Sequence, residues 1–544
     1  MMAGALKLTA ALLLALLTLG AATATADMLD DREAEPVVLT GADLPRLVGA
    51  TPEEVVGFAW FEGWAQDEDG WVPVPLQVDE RKLSPAGGLA YADPAAASGP
   101  DGNPMLDAND EIAMMAYDGG LPAGDRPAPA GVDPASRTSV RVSDPLESGQ
   151  QSWIYLFHSP DSLVQDGGDD RVMYERDFDP LLDYSFPESS SVVTTRYDIG
   201  IRGRWMLNRL VVAAADGADQ DILDGDKLNI GASCEVSELT LSRGPGEFLA
   251  DIDGPVRAIR SVEGVANGVR AWRQYIFYEG FLETRTSLRD LPAGSSVVSA
   301  LDLSRTARGM IYRNERNPDG VTVDGKPDNL ATGATSWEQV AGGQGAVTSV
   351  TRVARGGAER STFYEDRAGT AASGPMSCSG DDASFGAAGP RITSPDDARL
   401  EFVRYSWFDG PEADDATGKL RSRQVDNPLQ TGLDVVEPAI LVARARPSRV
   451  VLKPGQSRMI RVVVRNHGRK KAKRVRICAR TSNWARARCR AAAKLNRGGK
   501  VIRRIRVKAS RKARKGTRIL PVRATASKAR SYSDRIRVRI RPRG

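Results

Sequence analysis

Residues 269–288 read VRAWRQYIFYEGFLETRTSL. Two runs, 271–278 and 281–288, flank the dipeptide Glu279-Gly280, and apolar or aromatic positions alternate with polar ones along them. Strand side chains alternate with a period of two, and a two-residue step containing Gly between such runs is a hairpin signature. The stretch predicts a long hairpin in a large antiparallel sheet, with Arg273, Tyr275 and Phe277 on one face.

Outward from it the pattern repeats. Val55–Trp60 and residues 72–78, 112–117, 152–157, 192–197 and 399–407 are short, rich in β-branched and aromatic residues, and bounded by Gly, Pro, Asp or Asn. No long amphipathic helix stands out. The fold class is all-β, with a large antiparallel, sandwich-like body. Residues 119–136, GGLPAGDRPAPAGVDPAS, are too rich in Pro, Gly and Ala to bury a face, and read as a seam between domains or as a long loop inside one. Residues 27–135 are expected to form an N-terminal β-rich domain and 136–432 an acidic antiparallel-sheet domain, with a basic domain at 445–544.

The last boundary rests on charge. From Arg444 to Gly544 the chain holds 37 of its 74 Lys and Arg but one of its 70 acids, Asp534, for a net of about +36. The preceding 443 residues carry about −32, so the near-neutral total of +4 hides two opposed halves. Fields of this size steer oppositely charged surfaces and fall off with salt.

Lys7, the apolar run 8–19 and Ala24-Thr25-Ala26 before Asp27 have the form of a signal peptide over residues 1–26. No Cys lies near that cleavage site, and no later stretch approaches the roughly 18 apolar residues of a membrane span. The expected location is extracellular or at the cell surface, with no transmembrane segment. Four cysteines in an exported chain point to disulfides. Sequence allows three connectivities; the simplest keeps each pair within a domain, Cys478 with Cys489 and Cys234 with Cys378.

In the tail, Ile536, Val538 and Ile540 alternate with Arg535, Arg537, Arg539 and Arg541, and residues 474–477 and 504–508 repeat the scheme. Half-buried strands follow, about six of them, with turns at Lys453-Pro454-Gly455, Asn466-His467-Gly468, Arg497-Gly498-Gly499 and Lys515-Gly516, as in a β-sandwich. The run PSRVVLKPGQSRMIRVVVRNHGRKKAKRVRI, then IRRIRVKAS and GTRILPVRATA, resembles the CARDB-type bacterial immunoglobulin-like repeat over residues 447–541. That resemblance implies an immunoglobulin-like β-sandwich serving as a spacer or adhesion unit, with no catalytic residues. This copy departs from the family in its Arg density and in Cys478 and Cys489, which look like a bridge across adjacent strands. Outward rows at Arg535, Arg537, Arg539 and Arg541 suit an anionic cell-wall polymer or polysaccharide, or the protein's own acidic body, or else are a solvated face with no partner. Trp484 and Tyr532 are the tail's only aromatics, which argues against sequence-specific nucleic-acid binding.

Catalytic signatures are thin. His158 is the body's one histidine, and a strand-end His is more often structural; P-loop, Rossmann, G-x-S-x-G and H-E-x-x-H motifs are absent. Oxygen-rich clusters offer weak Ca²⁺ candidates: Asp107, Asn109, Asp110 and Glu111 first, then Asp219, Asp221, Asp224, Asp226 and Asn229, then Asp67 and Asp69. The competing reading of each is an Asx-stabilised turn. Residues 253–288 supply Arg257, Arg260, Arg273, Tyr275, Tyr278, Glu279 and Glu283, side chains of the kind that process glycans, or else an ordinary amphipathic sheet. The leading expectation is a secreted or cell-surface protein whose body binds or presents a ligand and whose basic tail anchors it. The alternative is a carbohydrate-active enzyme, a glycan hydrolase or lyase, with the tail as accessory module.

Overall fold

The computed structural model describes residues 32 and 35–542 except 62–69, 84–88, 94–101, 125, 148–149, 161–169, 177–189, 214–219, 232–233, 357–358, 369–377, 379–383, 394–398, 434–438, 467–470, 480–483, 488, 497, 528 and 533. The export segment 1–26, Asp67, Asp69 and Asp219 lie outside the described residues, as do His467, Gly468 and Arg497 of the expected tail turns.

The opening stretch folds as its alternation dictates. Val269–Tyr278 pairs antiparallel with Phe281–Arg289, and Tyr278 faces Phe281 across Glu279 and Gly280. The hairpin sits inside a nine-stranded sheet, flanked by Ala258–Ala266 on one side and Arg399–Asp409 on the other. A five-stranded sheet built on Leu223–Ile230, Ser296–Leu303 and Ser384–Thr393 covers one face, sharing apolar clusters that join Leu303 and Phe385 to Tyr275, Phe277 and Phe408. The N-terminal strands cover the other face, where Tyr91, Ala113 and Met115 meet Ile276, Tyr278, Phe281 and Trp407. Because both faces are covered, Val269–Tyr278 is buried at nearly every position toward its end.

The seam expected at 135/136 falls inside a sheet. Val55–Trp60 pairs with Gln151–His158, which pairs with Thr138–Ser143, and Gln430–Leu433 returns from the far end of the body to complete the edge. Residues 119–136 lead from Glu111–Met115 of a three-stranded sheet to Thr138–Ser143 of this five-stranded one, and the two sheets share an apolar cluster, so the stretch is a long loop inside one unit, as in its second reading. A Pro-Gly-Ala run states only that a segment cannot bury a face, which holds for a loop as much as for a linker. Helix Asp415–Asp426 escapes the alternation reading because its buried residues are Gly418, Ser422 and Gln424, which draw no apolar stripe. Asp414 caps it, accepting from the Ala416 and Thr417 amides, and Gly418 lets it approach Trp337, where a Cβ would lie 2.3 Å from the ring.

The tail has a core of its own, running from Leu441 to Ile540. Two five-stranded sheets share it: one ordered Ala485–Ala487, Lys500–Ala509, Ser457–Asn466, Ala439–Arg446, Ala529–Tyr532, the other Arg449–Leu452, Asp534–Ile540, Gly516–Ser527, Ala472–Ala479, Arg490–Leu495. Among the described residues ten strands replace the six expected, since short edge pieces carry too few alternating residues to register as strands. Ala439–Arg446 belongs to the tail, so the unit starts at least six residues before the expected 445. Gly455 (φ +84°) makes the turn at Lys453-Pro454-Gly455, a conformation open to Gly without a Cβ penalty. Both disulfides form within their units: Cys478–Cys489 with Cα atoms 4.2 Å apart, and Cys234–Cys378 at 5.0 Å. Cys489 sits where the chain leaves one tail sheet for the other, so its bridge pins that crossing to Ala472–Ala479.

Candidate functional site

Alternation in the tail sends Ile460, Val462, Ile505 and Val507 into the core and Arg461, Arg504 and Arg506 into solvent. Register then places Arg446, Arg461 and Arg504 directly opposite one another on three neighbouring strands. On the second sheet Arg449 stands opposite Arg537, and Lys473 opposite Lys494. Ile536, Val538 and Ile540 are buried while Arg537, Arg539 and Arg541 are exposed, as the alternation predicts; the Arg535 side chain lies outside the described residues. Like charges directly opposite on a sheet oppose folding, and the tail's single acid is Asp534. Each face carries basic side chains rooted about 5 Å apart across strands and about 7 Å apart along them, interrupted by exposed apolar residues such as Met459 and Ile502 on one and Val451 and Ile519 on the other.

The acidic turn at residues 107–111 is laced by hydrogen bonds. Asp107 Oδ1 accepts from the Asn109 amide at 2.9 Å, and Asp110 accepts from the Asp107 amide at 2.7 Å and the Arg81 amide at 2.8 Å. Asn109 donates its side-chain amide to the Arg81 carbonyl. Glu111 accepts from Arg81 at 2.6 Å, Arg257 at 2.8 Å and Tyr91 at 3.0 Å. The carboxylates of Asp107, Asp110 and Glu111 thus accept from N–H and O–H donors. The second cluster disperses: Asp221 accepts from the Leu210 and Leu223 amides, Asp224 pairs with Lys227, Asp226 enters the body's interior, and Asn229 donates to Cys378 Sγ. Among the described residues no three His, Cys, Asp or Glu are gathered as a metal site requires. His158 lies 3.4 Å from Glu54 at the end of its strand.

The seven candidates of residues 253–288 do not converge. Arg257 is buried between the N-terminal strands and the nine-stranded sheet, donating to Asp79 at 2.6 Å, Glu111 at 2.8 Å and Tyr278 at 3.1 Å. Glu283 accepts from Arg285 at 2.7 Å. Arg260 reaches the other way, to the Gly203 carbonyl at 2.7 Å and Tyr174 at 2.9 Å. Arg273 and Tyr275 share the inter-sheet face as expected; Tyr275 donates to the Trp205 carbonyl at 2.7 Å. Glu279, at the hairpin tip, accepts from Tyr117 and from Thr195. Beside it, burial and the charge of Glu279 push the Asp118 carboxyl up to about 7. A hydrogen bond with the Met115 backbone works in the opposite sense, and Arg171 lies 2.7 Å from Asp118.

A small cleft of about 30 Å³, partly open to solvent, lies between the nine-stranded and five-stranded sheets of the body. One wall carries Tyr312, Glu338, Ser349 and Arg404; the other carries Leu301, Leu303, Gly386 and Ala388. Tyr312 donates to Glu338 at 2.9 Å, Asn314 donates to the Tyr312 hydroxyl at 2.9 Å, and Arg404 donates to Asp226 at 2.6 Å. Register aligns the polar wall, since Glu338 faces Ser349 and Asn314 on the flanking strands. Burial pushes the Glu338 carboxyl up to about 7, against the pull of the Tyr312 hydrogen bond. Arg404 Nε and Asp226 Oδ1 are buried with no hydrogen-bond partner among the described residues. Sequence reasoning passed over all of these residues except Asp226, because strand alternation reports that Glu338 points to one side and not what lies across from it.

No family model matches the sequence, and no curated protein matches it. Solved structures with some likeness include an α-mannosidase from Enterococcus faecalis V583, at 8% identity and TM-score 0.40, covering 88% of this chain and 55% of that one. A glycosyl hydrolase family 38 protein from Enterococcus faecalis matches at 8% identity and TM-score 0.39, over 88% and 56%. Heparinase III matches at 8% identity and TM-score 0.26, over 55% and 41%. The chain spans about half the length of these structures, and overlaps this low assign neither fold nor activity. Among the described residues no helix is long and apolar enough to cross a membrane.

Proposed function

We propose that this is an exported protein of two parts, in which the basic tail holds an acidic, β-rich body to an anionic polymer of the cell surface. The observation that carries this is the row Arg446–Arg461–Arg504, exposed in the intact chain with no acid beside it in the register. Such a row destabilises the sheet in isolation and gains from a bound polyanion, which supplies the missing counter-charge. Exposure of Arg449, Arg537 and Arg539 in the whole chain favours an external partner over the protein's own body. The resemblance of residues 447–541 to CARDB-type repeats agrees with an accessory, immunoglobulin-like role. The test is retention of the full chain on immobilised polygalacturonate as salt is raised. Elution is expected to follow ionic strength steeply, as when several Arg and Lys displace condensed counterions. Absence of binding, or retention indifferent to salt, would sink the reading.

A carbohydrate-active body is the second reading, favoured by Glu338. A carboxyl that changes protonation near neutrality, beside a phenol and an arginine and facing an apolar wall, has the makings of a general acid, and its cleft of about 30 Å³ would have to widen to admit a sugar's polar edge. A polysaccharide screen with Glu338→Gln as control decides it: turnover that persists in the variant removes Glu338 from the chemistry.

A further inference from the structure

The tail's two basic faces look in opposite directions. Its sheets share one core, so Arg446, Arg461 and Arg504 project from one side of the unit and Arg449, Arg537 and Arg539 from the other. Packed sheets lie about 10 Å apart, and side chains extend the separation between the charge layers further. That distance exceeds the Debye length of about 8 Å at physiological salt, so a polyanion on one face leaves the other unneutralised. A single flexible strand would have to bend round the unit's edge to serve both.

We propose that the tail is a bridging module, binding one anionic polysaccharide strand on each face and so tying two strands together. This deepens the anchoring reading and rests on it. Polysaccharide is favoured over nucleic acid because the faces are sheets with no helix among the described residues to enter a groove, and the tail's two aromatics, Trp484 and Tyr532, are too few to form a stacking platform. Trp484 moreover packs against the core.

The experiment uses the full chain with two probes, a short oligogalacturonate and long polygalacturonate, at low salt. Calorimetric titration is expected to find two oligomers per chain. Light scattering with the long polymer is expected to rise to a maximum near charge equivalence and fall again in excess polymer, as cross-links are diluted out. Reversal of one face, Arg461→Glu with Arg504→Glu or Arg537→Glu with Arg539→Glu, should leave one oligomer per chain, keep the protein on a polygalacturonate column and abolish scattering. The neutral pairs Arg461→Gln with Arg504→Gln and Arg537→Gln with Arg539→Gln guard against a variant that fails to fold. One oligomer per wild-type chain, or scattering untouched by loss of either face, would overturn bridging and leave anchoring intact. No binding by the wild type would overturn both. Tighter binding of a single-stranded oligonucleotide of equal charge would overturn the choice of partner.

Discussion

Glu338 shows what a single carboxyl gains from its place between sheets. Its pKa rises from 4.5 to about 7 because water is excluded, while the Tyr312 hydroxyl and the nearby Arg360 and Arg404 pull it down. The folded state therefore holds this proton more tightly than the unfolded one. Stability from this group is complete below about 4.5 and declines as the pH climbs through about 7. Glu338→Gln should remove that decline. Between acid and neutral pH the wild type is expected to lose about 1 to 3 kcal/mol more than the variant in chemical denaturation, a range that allows for partial solvent access. Parallel pH profiles for the two proteins would refute the assignment. Glu111 behaves in the opposite way: burial alone would raise its pKa, but Arg257 and Arg81 outweigh it and hold the carboxyl below the usual range.

Between elements, Arg257 is the tie. It joins the strand Gln77–Asp79 and Glu111 to Tyr278 of the long hairpin, and Gln77 fixes its backbone by accepting from the Val256 and Arg257 amides. A buried pair broken on one side leaves an uncompensated charge, so Arg257→Met should destabilise by about 3 to 5 kcal/mol at neutral pH. A depressed carboxylate lends stability above its unfolded pKa and forfeits it as pH falls through the folded one. The cost of Arg257→Met should therefore shrink in acid, where Glu111 is protonated in either protein. A loss independent of pH would mean that Arg257 acts through packing alone. Nearby, two carboxylates of the expected calcium turn are already engaged, Asp110 by backbone amides and Glu111 by two arginines, so a cation there would compete with Arg81 and Arg257.

At the scale of the molecule, a tail with its own core should melt by itself. Calorimetry of the full chain is expected to resolve two transitions, with the tail's rising as salt screens its arginine rows. Each disulfide should act on one transition. The Cys478–Cys489 bridge closes 11 residues, and replacing both cysteines by Ala should cost the tail roughly 3 kcal/mol. The Cys234–Cys378 bridge spans 144 residues, and its removal should cost the body about 4 to 5 kcal/mol. One merged transition, or a body that shifts when Cys478 and Cys489 are replaced, would show that the two units are coupled.

Alternation and charge by themselves determined that the chain is all-β, that Val269–Tyr278 and Phe281–Arg289 form a hairpin, and that Ile536, Val538 and Ile540 turn inward from Arg537, Arg539 and Arg541. These are local properties: a period of two assigns each side chain to a face, whatever packs there. Tertiary structure alone decided that both faces of the central sheet are buried, which sent Arg257 and Arg273 to opposite interiors and scattered the candidates of residues 253–288. It also decided that 119–136 is a loop inside one unit, because Val55–Trp60 before it and Thr138–Ser143 after it both pair with Gln151–His158. The Glu338 cleft was illegible for the same reason. Tyr312, Glu338 and Arg404 are ordinary strand residues until the second sheet brings Leu301 and Leu303 across from them, and register between distant strands leaves no trace in any one strand's sequence.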